Sequence, residues 1–190
     1  MKNVAILASG EGTNAERIIR YFAEKKTAKV SVVLTNKAEA GVIRRANALN
    51  IPVEVLPPSA FKEGKATALL HDYQVDFVVL AGFLLRIPDD MLCDYPDKIV
   101  NIHPSLLPKF GGKGMYGSRV HEAVLEAGET ESGITIHFIN ERYDEGATIL
   151  QARCPVMPDD TPDTLANRVH QLEYEHFPKV IERLLLEGNV

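Results

Sequence analysis

The sequence predicts an α/β fold: a mostly parallel central sheet, helices on both of its faces, and an antiparallel edge. Three observations predict it. Short runs that are apolar throughout, such as VAIL at 4–7 and DFVVLAGF at 76–83, alternate with helical patterns. Strands buried on both faces belong to parallel sheets covered by helices. A Gly-rich turn, SGEGTN at 9–14, joins the first strand to the first helix, and two late strands at 132–140 and 147–156 are separated only by ERYDEG. So short a connection makes a hairpin-like pair, which places antiparallel pairing at one edge.

The elements follow in order. After the first strand, NAERIIRYFAEKK (14–26) sets Ile18, Ile19 and Phe22 on one helical face. VSVVLTN (30–36) is the second strand, EAGVIRRANALN (39–50) a helix and IPVEVLP (51–57) the third strand. AFKEGKATALLHDYQ (60–74) reads as one helix with an early Gly64. DFVVLAGF is the fourth strand and KIVNIH (98–103) the fifth. KFGGKGMYGS (109–118), with four glycines, is either a mobile lid or a plain connector. In SGITIHFIN, Ile134, Ile136 and Phe138 alternate with Thr135, His137 and Ile139. Thr161 as N-cap and Pro162 at the first helical position open a long closing helix. Leu165, Val169, Leu172, His176 and Ile181 fall near one of its faces.

The 190 residues suit a single domain, 1–190, and 45% hydrophobic residues suffice for a real core. The net charge of −5 argues against a dedicated nucleic-acid binder, which needs a basic face. Cys93 and Cys154 are too few for a disulfide framework and show no CxxC spacing, so reduced thiols in the cytoplasm are expected. The apolar run of MKNVAILASG is too short for a signal peptide, and no stretch approaches a membrane span.

Two motifs carry chemistry. Gly10-x-Gly12-x-x-Ala15 matches a loose anion-binding turn, in which bare N–H groups at a helix N-terminus accept a phosphate. The alternative is a tight turn capped by Thr13 or Asn14. A dinucleotide wants an acid at the end of the second strand, and LTNKAEA offers only a late Glu39, so a simple phosphate ester is the better match. The second motif is the strand tip IVNIHPSLLPKFGG, 99–112. Asn101 and His103 lie two apart, point the same way, and sit where open α/β sheets bind ligands. They are either a catalytic pair or a strand-end cap. Asp144 is a candidate to orient the imidazole, or a solvated loop acid. Glu173, four residues after Val169, either borders the core or reaches a cationic or amide group of a ligand. No histidine or cysteine cluster has metal-ligand spacing, and no GxSxG elbow occurs, so neither a metal nor a covalent nucleophile is expected.

Taken together, ASGEGTN (8–14), VVLAGF (78–83), NIHPSLLP (101–108), GITIHFINERYDEGATILQ (133–151) and EYEHFPKVI (173–181) resemble the phosphoribosylglycinamide formyltransferase family of folate-dependent enzymes. The resemblance covers nearly the whole chain. It implies a Rossmann-like formyltransferase fold, with phosphate and substrate binding in the N-terminal half and folate binding and catalysis in the C-terminal half. It implies transfer of a formyl group from 10-formyltetrahydrofolate to the amine of N1-(5-phospho-D-ribosyl)glycinamide in de novo purine biosynthesis. Transfer would be direct, through a tetrahedral intermediate and without metal. Gly12, Thr13 and Asn14 are then the phosphate cradle, and Glu173 contacts the glycinamide substrate. Asn101, His103 and Asp144 are the catalytic group. Leu84, Leu85, Arg86 and Ile87, with Asn101, face the folate. The chain departs from the family in having Leu84-Leu85 where Met-Arg is common and in its longer loop at 109–118, and His121 is given no role. The partners implied are small molecules, with no nucleic acid and no membrane, for a monomer or homodimer. Two other readings remain: a formyltetrahydrofolate deformylase-type hydrolase, which typically adds an N-terminal regulatory domain, and a non-catalytic phosphate- or nucleotide-binding module.

Overall fold

The computed structural model describes residues 1–188. The chain packs as two compact units: residues 1–100 with the chain's end from Ile181 onward, and residues 101–180. Its strands form one seven-stranded mixed sheet in the order β3-β2-β1-β4-β5-β6-β7. These are β1 (Lys2–Leu7), β2 (Ala28–Thr35), β3 (Val53–Val55), β4 (Phe77–Leu80), β5 (Ile99–His103), β6 (Glu131–Phe138) and β7 (Thr148–Pro155). β1 pairs in parallel with β2 and β4, and β2 with β3. β6 and β7 pair antiparallel, as the short connector requires. The fold is thus the Rossmann-like α/β architecture that the sequence predicts.

In the first unit Val4, Ala5, Ile6 and Leu7 of β1 and Phe77, Val78 and Val79 of β4 are wholly buried. Helix α1 (Thr13–Lys25) buries Ala15, Ile18, Ile19 and Phe22, the spacing of a single helical stripe. Each large apolar side chain so buried stabilises the fold by roughly 1.5–3 kcal/mol. Phe22 is among the largest fully buried side chains, so truncating it to alanine costs about 3–5 kcal/mol. The helix ends where Lys26 turns left-handed (φ 57°), its N–H closing onto the Phe22 carbonyl. Helix α2 (Gly41–Ala48) follows β2 and buries Val42 and Ala46.

Three elements differ from the sequence reading. The expected helix over 60–74 is two helices, α3 (Pro58–Lys62) and α4 (Lys65–Asp72). Gly64 breaks it by adopting a left-handed φ of 76°. A short α5 (Asp89–Asp94) follows the fourth strand, and α6 (Ser118–Glu126) follows the Gly-rich segment. α5 buries only Met91, too little to show a period, whereas α6 buries Val120, His121 and Val124 at helical spacing, a stripe in which a histidine stands for one apolar residue.

In the second unit α7 (Pro162–Leu186) starts as expected: the Thr164 N–H donates to Thr161 Oγ1 at 3.3 Å. The turn before it is clamped by Asp160, which accepts from both Arg168 guanidinium nitrogens, the Met157 amide and the Thr164 hydroxyl. The Arg168 guanidinium holds the Asp160 carboxyl well below the usual carboxylate range. Among the described residues no helix is long and apolar enough to cross a membrane. Cys93 is an exposed thiol and Cys154 a buried one.

Candidate active site

The Gly-rich turn of the first unit is built around one backbone conformation. Gly12 takes φ 75° and is the N-cap of α1, with no side chain capping the helix. A Cβ there would lie 2.5 Å from the Val42 side chain, so only glycine admits this close approach by α2. Neither Thr13 nor Asn14 is the cap; both are the first residues inside the helix. A helix start without a capping side chain retains N–H groups for an anion. Arg45 braces the turn by donating to the Glu11 carbonyl at 2.8 Å and by pairing with Glu16.

Ser9 joins this turn to the loop after β4. Its N–H donates to the Gly82 carbonyl at 3.0 Å, and its hydroxyl accepts from the Leu84 N–H at 3.0 Å. The same hydroxyl donates to Asn36 Oδ1 at 2.6 Å. Leu84 is 40% exposed, while Ile87 is buried and Arg86 pairs with Asp89. An exposed leucine on a backbone pinned by hydrogen bonds suits the face of a flat ring. Leu85 makes no polar contact that would distinguish it.

In the second unit Asn101, His103 and Asp144 do come together. His103 is buried, and its Nε2 lies 2.7 Å from the Phe110 carbonyl. A carbonyl only accepts, so Nε2 carries the proton and Nδ1 is left facing Asp144. The Asp144 Oδ2 is 3.6 Å from that Nδ1. This is too long for a direct hydrogen bond, though close enough for the carboxylate and the imidazole to interact electrostatically. Asp144 is itself positioned by the Gly112 N–H, which donates to Oδ2 at 2.8 Å, and sits in the left-handed region at φ 56°. Aspartate is one of the residues that tolerate that conformation. Gly111 packs beside it: a Cβ there would press on the tip of the Leu107 side chain and lie 3.4 Å from Asp144 Cβ.

His137, on β6, is the member that sequence reasoning missed. It is wholly buried, and its Nδ1 donates to the Phe138 carbonyl at 2.9 Å. Its Nε2 therefore accepts, and the partner is the Asn101 amide Nδ2 at 3.1 Å. Burial pushes the His137 pKa down, ahead of the opposing pull of the Phe138 carbonyl and of Asp144, so it stays the neutral acceptor. Asp144 Oδ1 lies 3.6 Å away from it, so one carboxylate stands between two imidazoles. The signal was present: in a strand whose other residues suit a core, Thr135 and His137 alternate as polar positions. Thr135 is likewise wholly buried, accepting from the Leu107 N–H and donating to the Ser105 carbonyl. It thereby holds the segment that carries the Phe110 carbonyl.

Glu173 is a buried carboxylate on α7, 5% exposed, deeper than the stripe-edge position its spacing suggests. His121 is buried on α6 with no partner for Nδ1 among the described residues, and burial, reinforced by His170 and His103, pushes its pKa down to about 4. Among the described residues no group of three or more His, Cys, Asp or Glu side chains could hold a metal ion.

The sequence model of a family described as formyl transferase matches residues 2–181. The chloroplastic phosphoribosylglycinamide formyltransferase of Arabidopsis thaliana is 41% identical over 187 residues, which is 95% of this chain and 64% of that protein. The chain therefore spans a little under two thirds of that relative's length. The phosphoribosylglycinamide formyltransferase of Haemophilus influenzae is 37% identical over the whole chain and 92% of its own length. The crystal structure of glycinamide ribonucleotide transformylase 1 from Symbiobacterium toebii superposes with a TM-score of 0.91 at 33% identity, covering 98% of this chain and 89% of that one. With a family model that matches residues 2–181 and a fold shared with these relatives, the chain belongs to the formyl transferase family.

Proposed function

We propose that this protein transfers a formyl group from 10-formyltetrahydrofolate to the amine of N1-(5-phospho-D-ribosyl)glycinamide, a step of purine biosynthesis. The observation that carries the reading is the placement of Asp144 at 3.6 Å from His103 Nδ1, beside an Asn101 whose amide is oriented by His137. A solvated loop acid and a strand-end cap need no such arrangement. The relatives' names support the substrate pair.

The folate supplies an electrophilic formyl carbon. Leu84 and its neighbours Leu85, Arg86 and Ile87, with Asn101, hold that co-substrate. The turn Gly12–Asn14 takes the ribose phosphate, and Glu173 receives the glycinamide amine. As the amine adds, negative charge grows on the formyl oxygen. Asn101 uses one Nδ2 proton on His137 and keeps the other for that oxygen. His103 presents Nδ1, because Nε2 is committed to the Phe110 carbonyl. Asp144 accepts the amine proton, directly or across a bridging water, and the folate nitrogen takes up that proton as its bond to the formyl carbon breaks and tetrahydrofolate leaves. Hydrogen-bond donors fixed in advance in a buried setting stabilise a developing charge without reorganising. Neither a metal nor a covalent enzyme intermediate enters. The whole chain acts as one catalytic domain in this reading. The two unbridged thiols support a cytoplasmic location, and the net charge of −5 supports small molecules over nucleic acid as partners.

The deciding experiment mixes the protein with a 10-formyl folate, with and without the ribonucleotide, and follows deformylation spectroscopically. Deformylation that requires the ribonucleotide and yields its formylated product is expected. Deformylation without it would replace the transferase reading by a hydrolase. Silence in both, with both ligands bound, would leave a binding module.

A further inference from the structure

We infer that Ser9 is a positioning residue that couples the two ligand subsites, so that occupancy of the Gly-rich turn strengthens folate binding through one buried hydroxyl. The inference rests on the functional reading above for what each subsite holds.

Ser9 lies two residues beyond the buried strand β1, where the Gly-rich turn begins. It is 3% exposed and its hydroxyl is used in both directions. It donates to Asn36 Oδ1 at 2.6 Å and accepts from the Leu84 N–H at 3.0 Å. Its own N–H reaches the Gly82 carbonyl at 3.0 Å. The residue before it is tied in the same manner, Ala8 N–H donating to the Leu34 carbonyl at 3.0 Å. Ser9 thus fastens the start of the phosphate turn to the ends of two neighbouring strands at once. One of these leads directly into Leu84, the first residue of the folate-facing segment. A backbone N–H at Leu84 that is held by a side chain three residues from Gly12 cannot shift without moving the turn. The converse also holds.

Two ligands that each order a shared element bind with positive coupling, and the coupling is reciprocal. An anion that fixes the turn fixes Ser9, which fixes Leu84 and lowers the ordering cost for a ring lying on it. Alanine at position 9 keeps the N–H bond to Gly82 and deletes only the hydroxyl. Asn36 Oδ1 and the Leu84 N–H then lose their common partner. The strand β1 beneath is untouched, so the change falls on the link.

The test is equilibrium binding by calorimetry, with tetrahydrofolate as the non-transferring folate and the glycinamide ribonucleotide as the anion. Tetrahydrofolate affinity is measured with and without saturating ribonucleotide in the wild type, Ser9→Ala and Ser9→Thr. In the wild type the ribonucleotide is expected to tighten tetrahydrofolate binding several-fold. In Ser9→Ala that factor falls to near one, and tetrahydrofolate alone binds about tenfold more weakly. Ser9→Thr, which keeps the hydroxyl, restores the coupling. Should either variant at position 9 fail to fold, Asn36→Ala interrupts the same link from the other side and must also lower the coupling. Equal coupling in the wild type and Ser9→Ala would overturn the role of Ser9 while leaving the functional reading standing. Failure of the wild type to bind either ligand would instead overturn the functional reading.

Discussion

His137 Nε2 accepts a hydrogen bond from Asn101 Nδ2 at 3.1 Å, and this bond decides which way the Asn101 amide faces. Because His137 Nδ1 is committed as a donor to the Phe138 carbonyl, Nε2 has only a lone pair to offer. The carboxamide of Asn101 must turn its NH2 toward the histidine. The remaining proton of that NH2 is then available for a reacting oxygen.

Removing this acceptor should disturb catalysis more than folding. His137→Leu leaves the Asn101 amide unguided, and kcat is expected to fall about 10–100-fold with a smaller change in KM. Steady-state formyl transfer, alongside a thermal melt, checks it. An unchanged kcat would remove His137 from the site.

Asp144→Asn separates charge from shape. Asparagine tolerates the left-handed backbone at 144, and its carbonyl can still accept from the Gly112 N–H. The melting temperature should hold while kcat drops by about 10²–10⁴-fold. Near-normal turnover in a well-folded variant would show that the carboxylate moves no proton.

Burial of two histidines adds to the loss of stability in acid. The His121 pKa is pushed down to about 4 by burial, and that of His137 is lowered for the same first reason. The unfolded chain takes up a proton at each near its ordinary value of 6.5, whereas the folded chain resists. For His121 the stability so lent is therefore complete above pH 6.5 and lost as pH falls toward about 4, and for His137 it declines in the same direction. For His121 the slope is at most about 1.4 kcal/mol per pH unit. Denaturant melts over this range should show His121→Leu losing less stability per pH unit than the wild type. Identical slopes would mean that His121 titrates normally.

Gly12→Ala puts a methyl group against Val42 and a Cβ at φ 75°. The expected cost is about 1–3 kcal/mol. Because the turn must open to relieve the clash, affinity for the ribonucleotide should fall with it. A melt and a binding isotherm read the two effects separately, and a variant as stable as the wild type would contradict the close approach of α2.

Much of the fold was legible because periodicity carries it. VAIL, VSVVLTN and DFVVLAGF are apolar throughout, and the stripe Ile18, Ile19, Phe22 is a plain helical face. The boundaries blurred where one backbone angle decides, as at Gly64, whose left-handed turn splits a helix that the apolar pattern joins. The short α5 was missed because a single buried residue, Met91, marks no face, and α6 because its stripe is completed by a histidine, His121.

The same division runs through the candidate site. By itself the sequence determined the strand order of chemistry: a glycine turn after the first strand, Asn101 and His103 on one side of a strand tip, and an aspartate in the loop of a hairpin. Those follow from local geometry, since residues two apart on a strand share a face and glycine permits a tight turn. Only the tertiary structure decided that Asp144 stands between two imidazoles, that His137 orients Asn101, and that Ser9 reaches both Asn36 and Leu84. The Ser9 contacts join residues 27 and 75 positions apart, and Asp144 reaches from a loop to histidines on two different strands, so no local periodicity encodes them. They exist because sheet pairing brings distant strand ends side by side, where a buried polar group must find a partner or pay the cost of lacking one.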